Sequence, residues 1–324
     1  EFDLLLQELS SAKEFAIDLE TDSLNTMKAT IVGMSFSLKP DSGYYVPINH
    51  RYLSAPNMVP QDYVLEKLKP ILEDAKYGKI GQNIKFDLKV LKCHGIALKG
   101  ISFDTMIASY LLHPTQSEHN LDRLVKDYLN RPITSIKEII GSGSSQITMD
   151  QAPVEEVSYY ACEDADCALE LKNRFAPEIE AEELSDLFYN IEMPLIPILA
   201  DMELTGIKVD VDYLTQLSKE FGEHLNQMRD EIYELAGEKF NIRSPKQLSY
   251  ILFEKLELPK SKRTKTGYST NVRVLESLAD KHPLPEKILE HRQFAKLKST
   301  YVDALKEIVD KEDTGRIHTS FQQA

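Results

Sequence analysis

Two carboxylates interrupt a run that otherwise reads as a buried strand. In Phe15-Ala16-Ile17-Asp18-Leu19-Glu20 the first three residues are apolar, and Asp18 and Glu20 stand two apart. Side chains two apart on a strand point to the same face of the sheet. An apolar strand of this kind is expected at the centre of a sheet, so that its acids end in a cleft. Like charges on one face repel, and a cation bound between them would offset the repulsion. The ordinary alternative is a solvent-facing edge with unrelated acids.

Around this strand the sequence alternates between strand and helix patterns. Residues 30–38 alternate in polarity, and 44–48 follow the turn residues Pro40-Asp41-Ser42-Gly43, so the first three strands form a meander. Residues 61–72 space Val64, Leu65, Leu68 and Ile71 as a helix does. Next come a short strand at 79–82, a helix over 84–93 ended by Gly95, a strand at 101–103, and helices near 104–112 and 121–129. Residues 141–145 read as a loop, and a long helix is expected over 153–175. The fold class is α/β with a mixed sheet. After about residue 180 the strand pattern nearly vanishes. Residues 183–205, 211–236, 245–256 and 284–307 read as helices, with 206–210 a tight link. Ser244-Pro245 suits an N-cap followed by the first helical residue. The division is expected between 185 and 186, with residues 186–324 mainly helical.

A length of 324 residues accommodates two domains. The net charge of −14 argues at first against a nucleic-acid binder, because phosphate contacts need Lys and Arg. The charge is uneven, however: residues 1–240 carry −19 and residues 241–300 carry +7. A basic stretch in an acidic chain marks either a partner or a solvated helix face. No apolar run approaches the roughly 20 residues that span a bilayer. The chain opens without a signal-peptide pattern, and Cys93, Cys162 and Cys167 have no metal-site or disulfide spacing. A reducing cytoplasm is expected, with no membrane partner.

Two further pairs join Asp18 and Glu20. Asn83 and Asp87 are four apart, as are Tyr160 and Asp164, and on helices each pair would share a face. Each pair alone has an ordinary reading: Asn83 as an N-cap, Tyr160 as a packed aromatic, Glu163 and Asp166 as helix surface. Together they supply four carboxylates and a phenol. Hard oxygen ligands of this kind suit Mg²⁺ or Mn²⁺, and a carboxylate shared by two ions suits a two-metal site.

The segments Ala16-Ile17-Asp18-Leu19-Glu20-Thr21-Asp22-Ser23-Leu24, Gly81-Gln82-Asn83-Ile84-Lys85-Phe86-Asp87 and Tyr160-Ala161-Cys162-Glu163-Asp164-Ala165-Asp166 resemble the three motifs of the proofreading 3′–5′ exonucleases of the DEDD superfamily, tyrosine subtype. Beyond them, Asn190-Ile191-Glu192-Met193-Pro194-Leu195, Ser244-Pro245-Lys246-Gln247-Leu248, Leu297-Lys298-Ser299-Thr300-Tyr301 and Gly315-Arg316-Ile317-His318-Thr319-Ser320-Phe321 are similar to the thumb of family-A DNA polymerases and its entry into the palm. The resemblance covers essentially the whole chain. It implies an RNase H-like exonuclease domain over 1–185 and a thumb over 186–324. Palm and fingers, where polymerisation occurs, would lie outside this chain.

The resemblance further implies metal-dependent hydrolysis of 3′-terminal phosphodiesters of DNA. Asp18, Glu20, Asp87 and Asp164 would hold two divalent ions, Mg²⁺ first, with Mn²⁺ or Zn²⁺ as alternatives. Tyr160 would orient the attacking water with help from Glu20. Leu24 would act as a wedge for the terminal bases, core packing being its ordinary reading, and Asn83 would touch the substrate strand or orient Asp87. Such a site takes single-stranded or frayed 3′ ends, since the terminal base must leave the duplex. In the helical half, Arg243, Lys246, Lys260, Lys262, Arg263, Lys265, Arg292, Lys296 and Lys298 could face duplex phosphates, contacts that position DNA without reading sequence. A monomer in the cytoplasm, associated with the nucleoid, is expected. Two alternatives share parts of the pattern: an exoribonuclease of RNase D type, and a DNA clamp with a silent nuclease fold.

Overall fold

The computed structural model describes residues 1–260, 267–309 and 315–324, and the backbone of 263–264. The chain forms two compact units, Glu1–Thr205 with Thr319–Ala324, and Gly206–His318.

The first unit is built on a mixed five-stranded sheet in the order β3-β2-β1-β4-β5. Strands β1 (Glu14–Thr21), β2 (Ile31–Lys39) and β3 (Ser42–Pro47) form the expected antiparallel meander. Strands β4 (Gly78–Gly81) and β5 (Ile101–Asp104) lie parallel on the far side of β1. Strand β1 is therefore central, and Phe15, Ala16 and Ile17 are fully buried. The surrounding helices are α1 (Phe2–Ser11), α2 (Gln61–Leu72), α3 (Lys85–Cys93), α4 (Thr105–Leu112), α5 (Leu121–Leu124), α6 (Ile136–Ile140), α7 (Val154–Ala181), α8 (Ser185–Leu187) and α9 (Met193–Thr205).

Small residues decide how α7 meets the sheet. Cross-strand partners share a face, so the pairs Ala16–Ser37, Asp18–Ser35 and Glu20–Gly33 place alanine, serine and glycine beside the two acids. Helix α7 packs against β1, β2 and β3 and buries Ala161, Ala165 and Ala168. At Gly43 a Cβ would stand 2.7 Å from Cys162 Cβ, so only glycine permits this approach. The helix runs six residues beyond the expected end at 175, through Pro177 and the buried Ile179.

The sequence places the division at 185, whereas the contacts carry the first unit on to Thr205. Phe188 packs at a tilt against Phe103 of β5 with ring centroids 4.8 Å apart, and Met193, Ile196 and Ala200 of α9 enter the same core. The last residues return to this unit as well. Glu203 accepts from the Phe321 amide at 2.9 Å and pairs with Lys85 at 2.7 Å and with Lys89. Helix α6 and the strand pair β6–β9 described next had no clear pattern in the sequence.

The second unit comprises α10 (Val211–Ala236), α11 (Pro245–Tyr250), α12 (Val272–Leu278), α13 (Pro283–Lys296) and α14 (Ala304–Ile308). Strand β6 (Ile207–Lys208) pairs with β9 (Arg316–Ile317), and β7 (Arg263–Thr264) pairs with β8 (Gly267–Tyr268). Its separate core joins Ile232 and Ala236 of α10 to Leu248, Phe253, Leu275 and Ile288. Ser244 caps α11 by accepting from Gln247 N, as its sequence predicts. Among the described residues no helix is long and apolar enough to cross a membrane.

One buried acid organises a corner of the first unit. The Asp104 carboxylate caps α4 by accepting from Met106 N and Ile107 N at 2.9 and 3.2 Å. It also accepts from Ile84 N at 2.8 Å and Asn83 N at 3.3 Å, which ties the end of β5 to the entry of α3. Removing a buried acceptor with several donors leaves each donor unsatisfied. Asp104→Ala should therefore cost about 2–4 kcal/mol of stability. Chemical denaturation measures this, and a loss below about 0.5 kcal/mol would show the bonds to be dispensable.

Candidate active site

Strand β1 outruns its parallel neighbour. The β1–β4 pairing ends at Ala16–Ile80, while β1 continues to Thr21. The cleft beyond β4 is where the acids meet, outside the carboxyl end of a parallel strand. Asp18 and Glu20 enter it from β1, Asp87 from the first turn of α3 and Asp164 from the middle of α7. Oxygens of Asp18, Glu20 and Asp164 lie within 4.8 Å of one another. Asp87 stands beside this trio, takes a hydrogen bond from the Leu19 backbone and feels the charge of Asp18. The four sequence-predicted carboxylates are thus brought to one place.

Their electrostatics are those of crowded charges with little water around them: Glu20 and Asp87 are buried, and Asp18 and Asp164 half-buried. Burial pushes the Asp18 carboxyl up to about 6. Burial, and then the charges of Asp18, Asp164 and Asp87, push Glu20 well above the usual carboxylate range. Asp87 and Asp164 are raised for the same reasons, burial first and Asp18 second. Among the described residues no Lys, Arg or His forms an ion pair with any of the four. An all-oxygen donor set lacking a protein cation fits hard divalent ions.

Tyr160 lies one turn before Asp164 on α7 and hydrogen-bonds to it. Burial and the surrounding acids, Asp164 first, hold its phenol far above the ordinary tyrosine range, so it stays protonated. Leu24 is 91% exposed, which removes core packing as its explanation. It rims a cavity of about 130 Å³ together with Asn83, Phe86, Met106 and Ile107. Asn83 is not on the helix with Asp87, as its spacing suggested. It sits in the left-handed region at φ 54°, and α3 begins only at Lys85.

Two groups that the sequence reading passed over hold the site in shape. Asp104 fixes the Asn83–Ile84 turn, and its place before an apolar helical run was a readable N-cap signal. Asp166, assigned above to helix surface, is 6% exposed. It accepts from the Asp41 amide at 2.9 Å and pairs with Arg131 at 2.9 Å, while Arg131 also reaches Glu170 at 3.1 Å. Glu163 accepts from Thr134 N at 2.7 Å. Nothing in the sequence pairs Arg131 with residues some 35 positions away.

The basic candidates of the second unit divide. Lys262 and Lys265 lie outside the described residues, as does the side chain of Arg263. Arg292 is half-buried and donates to Thr270 O at 2.6 Å, and Lys298 bonds Ser218 at 2.8 Å and Asp303 at 2.7 Å. These two hold the fold together, whereas Lys296 is exposed.

Residues 1–180 match the family model described as 3′–5′ exonuclease, and residues 211–324 match DNA polymerase family A. Exonuclease domains of this kind use divalent metals. DNA polymerase I of Pseudomonas aeruginosa is 42% identical over the whole chain, which covers 36% of that relative. DNA polymerase I of Bacillus subtilis is 35% identical, again over the whole chain and 38% of the relative. The chain thus spans about a third of the length of these curated relatives. A solved structure, the POL domain of Pol1 from M. smegmatis in complex with DNA primer-template and dNTP, has a TM-score of 0.79 at 30% identity. It covers all of this chain and 51% of its own.

The raised carboxyl pKa values carry a stability consequence. A native Asp18 near 6 binds its proton more tightly than an unfolded aspartate, so its stabilisation is complete below about pH 4 and lost as pH rises through about 6. In chelator, Asp18→Asn should melt several degrees above the native protein at pH 8, with the gap closing or reversing at pH 5. Calorimetric scans at the two pH values check this; an equal or lower melting temperature for the variant at pH 8 would contradict it.

Proposed function

We propose that this chain, which belongs to the 3′–5′ exonuclease family and carries a DNA polymerase family A region, hydrolyses the 3′-terminal phosphodiester of single-stranded or frayed DNA. The observation that carries this reading is the uncompensated set Asp18, Glu20 and Asp164, with Asp87 beside it. These residues would hold two divalent ions, Mg²⁺ first. Such ions polarise the scissile phosphate, acidify a water and neutralise the leaving oxygen.

The chain's own groups do the positioning. The protonated Tyr160 hydroxyl, beside Asp164, orients the attacking water by hydrogen bonding; a phenol held this far above neutral pH cannot act as a base. Glu20 assists from the strand. Water attacks phosphorus, the bond to the 3′ oxygen breaks, and a proton from water ends on that oxygen, releasing a nucleoside monophosphate. Exposed Leu24 and the cavity it shares with Asn83 receive the terminal base. A mismatched end unpairs at lower cost, so it reaches the site more often without any reading of sequence.

The family A region over 211–324 favours DNA over RNA as substrate. In the helical unit, exposed Lys296 and the basic segment around 260–265 grip duplex phosphates, a role that Arg292 and Lys298 serve only indirectly. The chain works as a soluble monomer, in the cytoplasm with the nucleoid.

Labelled single-stranded DNA and RNA, incubated with Mg²⁺ or Mn²⁺ and with chelator, test the reading. Metal-dependent shortening of DNA from the 3′ end is expected, with RNA degraded far more slowly. Asp18→Ala should lose about 10³-fold or more in rate, and Tyr160→Phe about 10- to 100-fold. Equal activity in chelator, or an unchanged rate for Asp18→Ala, would overturn it. For the helical unit, Lys296→Ala should lower the salt slope of duplex binding by about 1, and an unaltered slope would remove that contact.

A further inference from the structure

Tyr45 occupies a place that another side chain vacates. It extends from β3, where it pairs with Ser35, along the face of the sheet that carries Asp18 and Glu20. An ideal Cβ on Gly33 would stand 2.1 Å from the Tyr45 hydroxyl oxygen. Gly33 is the direct cross-strand partner of Glu20. Directly opposed residues on one face have Cβ atoms about 4.5–5.5 Å apart. The phenol oxygen therefore stands where the cross-strand neighbour of Glu20 would be, within reach of a glutamate carboxylate.

The proton of this phenol is already committed. Tyr45 Oη lies 2.8 Å from His50 Nε2, and His50 Nδ1 lies 3.1 Å from the Ala152 carbonyl oxygen. A carbonyl only accepts, so Nδ1 carries the ring proton. Nε2 of the neutral ring is then an acceptor, and the tyrosine hydroxyl donates to it. Burial holds the imidazole below its ordinary range and so keeps it neutral. The groups facing this pair are Glu20, Asp18 and Cys162 around the phenol and Asp150 and Glu155 around the imidazole.

We propose that Tyr45 and His50 form a positioning pair for Glu20: the ring walls the carboxylate toward Asp18 and Asp164, and His50 holds the phenol proton away from it. Glu20 thereby keeps its lone pairs for cation and water. Without His50 the hydroxyl would turn and donate to Glu20, competing directly with the ion. Tyr45 touches no reacting atom in this role and acts through Glu20.

The inference rests on Glu20 serving as a metal ligand, and its test reads metal binding rather than turnover. Free Mn²⁺ measured by electron paramagnetic resonance gives the affinity of each variant. His50→Phe should weaken Mn²⁺ binding about five- to tenfold, the size expected of one new hydrogen bond to a carboxylate. Tyr45→Phe should stay within about twofold of the native protein, and the double variant should recover to that level, since no hydroxyl remains to compete. His50→Gln, which keeps an acceptor, should also bind normally. A purely structural role predicts additive losses with no recovery. Native affinity in His50→Phe, or a double variant as weak as His50→Phe, overturns the proposal. If His50→Phe does not fold, Gly33→Ala displaces the hydroxyl by another route; it should weaken Mn²⁺, and unchanged affinity would likewise overturn the pairing. A native protein that binds Mn²⁺ but leaves DNA intact would instead sink the nuclease reading.

Discussion

Mutual repulsion among Asp18, Glu20, Asp87 and Asp164 is the interaction against which the first unit is built. Three of these carboxylates lie within 4.8 Å of one another, and none has an ion pair among the described residues. Each is pushed toward its protonated form by burial, and Glu20, Asp87 and Asp164 by the charge of Asp18 as well. A fold tolerates such a cluster only if the surroundings fix it, and it is relieved when a divalent cation supplies the missing positive charge. Stability is given up at the site where a divalent cation would bind.

The rest of the unit supplies the restraint. A face of Ala16, Gly33, Ser35 and Ser37 lets α7 lie close enough for Asp164 to meet strand β1. Gly43 lets the same helix approach β3, and Asp166 with Arg131 anchors its outer side. Asp104 gathers four backbone amides and so sets where α3, and with it Asp87, begins. Tyr45 fills the space that Gly33 leaves beside Glu20. None of these groups belongs to the acid cluster, yet each decides where a member of it stands.

Much of this was legible in the sequence. The meander, the central strand and the helices carrying Asp87 and Asp164 follow from periodicity, and the acids stand out because they break an apolar strand. The parts that escaped depend on distant partners. Asp166 looks like any acid on a helix face until Arg131 and the Asp41 amide close on it. Asn83 has helical spacing to Asp87 but is held in a left-handed turn by Asp104, twenty-one residues away. The unit boundary moved to Thr205 because α9 is apolar on several faces, and only its packing on β5 and α3 shows which core it joins. Arg292 and Lys298 have internal acceptors that their sequence does not show, Thr270 O for the first and Asp303 for the second.

The second unit makes the acidic total misleading. A net charge of −14 would keep nucleic acid away from a uniform surface, but the +7 over 241–300 is confined to the helical half. On the proposed reading, the acids of the first unit would serve the metal and the bases of the second the duplex. Crystals soaked in Mn²⁺ and measured at its absorption edge test the centre of this most directly. Anomalous density is expected between Asp18, Glu20 and Asp164, with a second peak on the side of Asp87. Density elsewhere on the surface, with none among these four carboxylates, would contradict it.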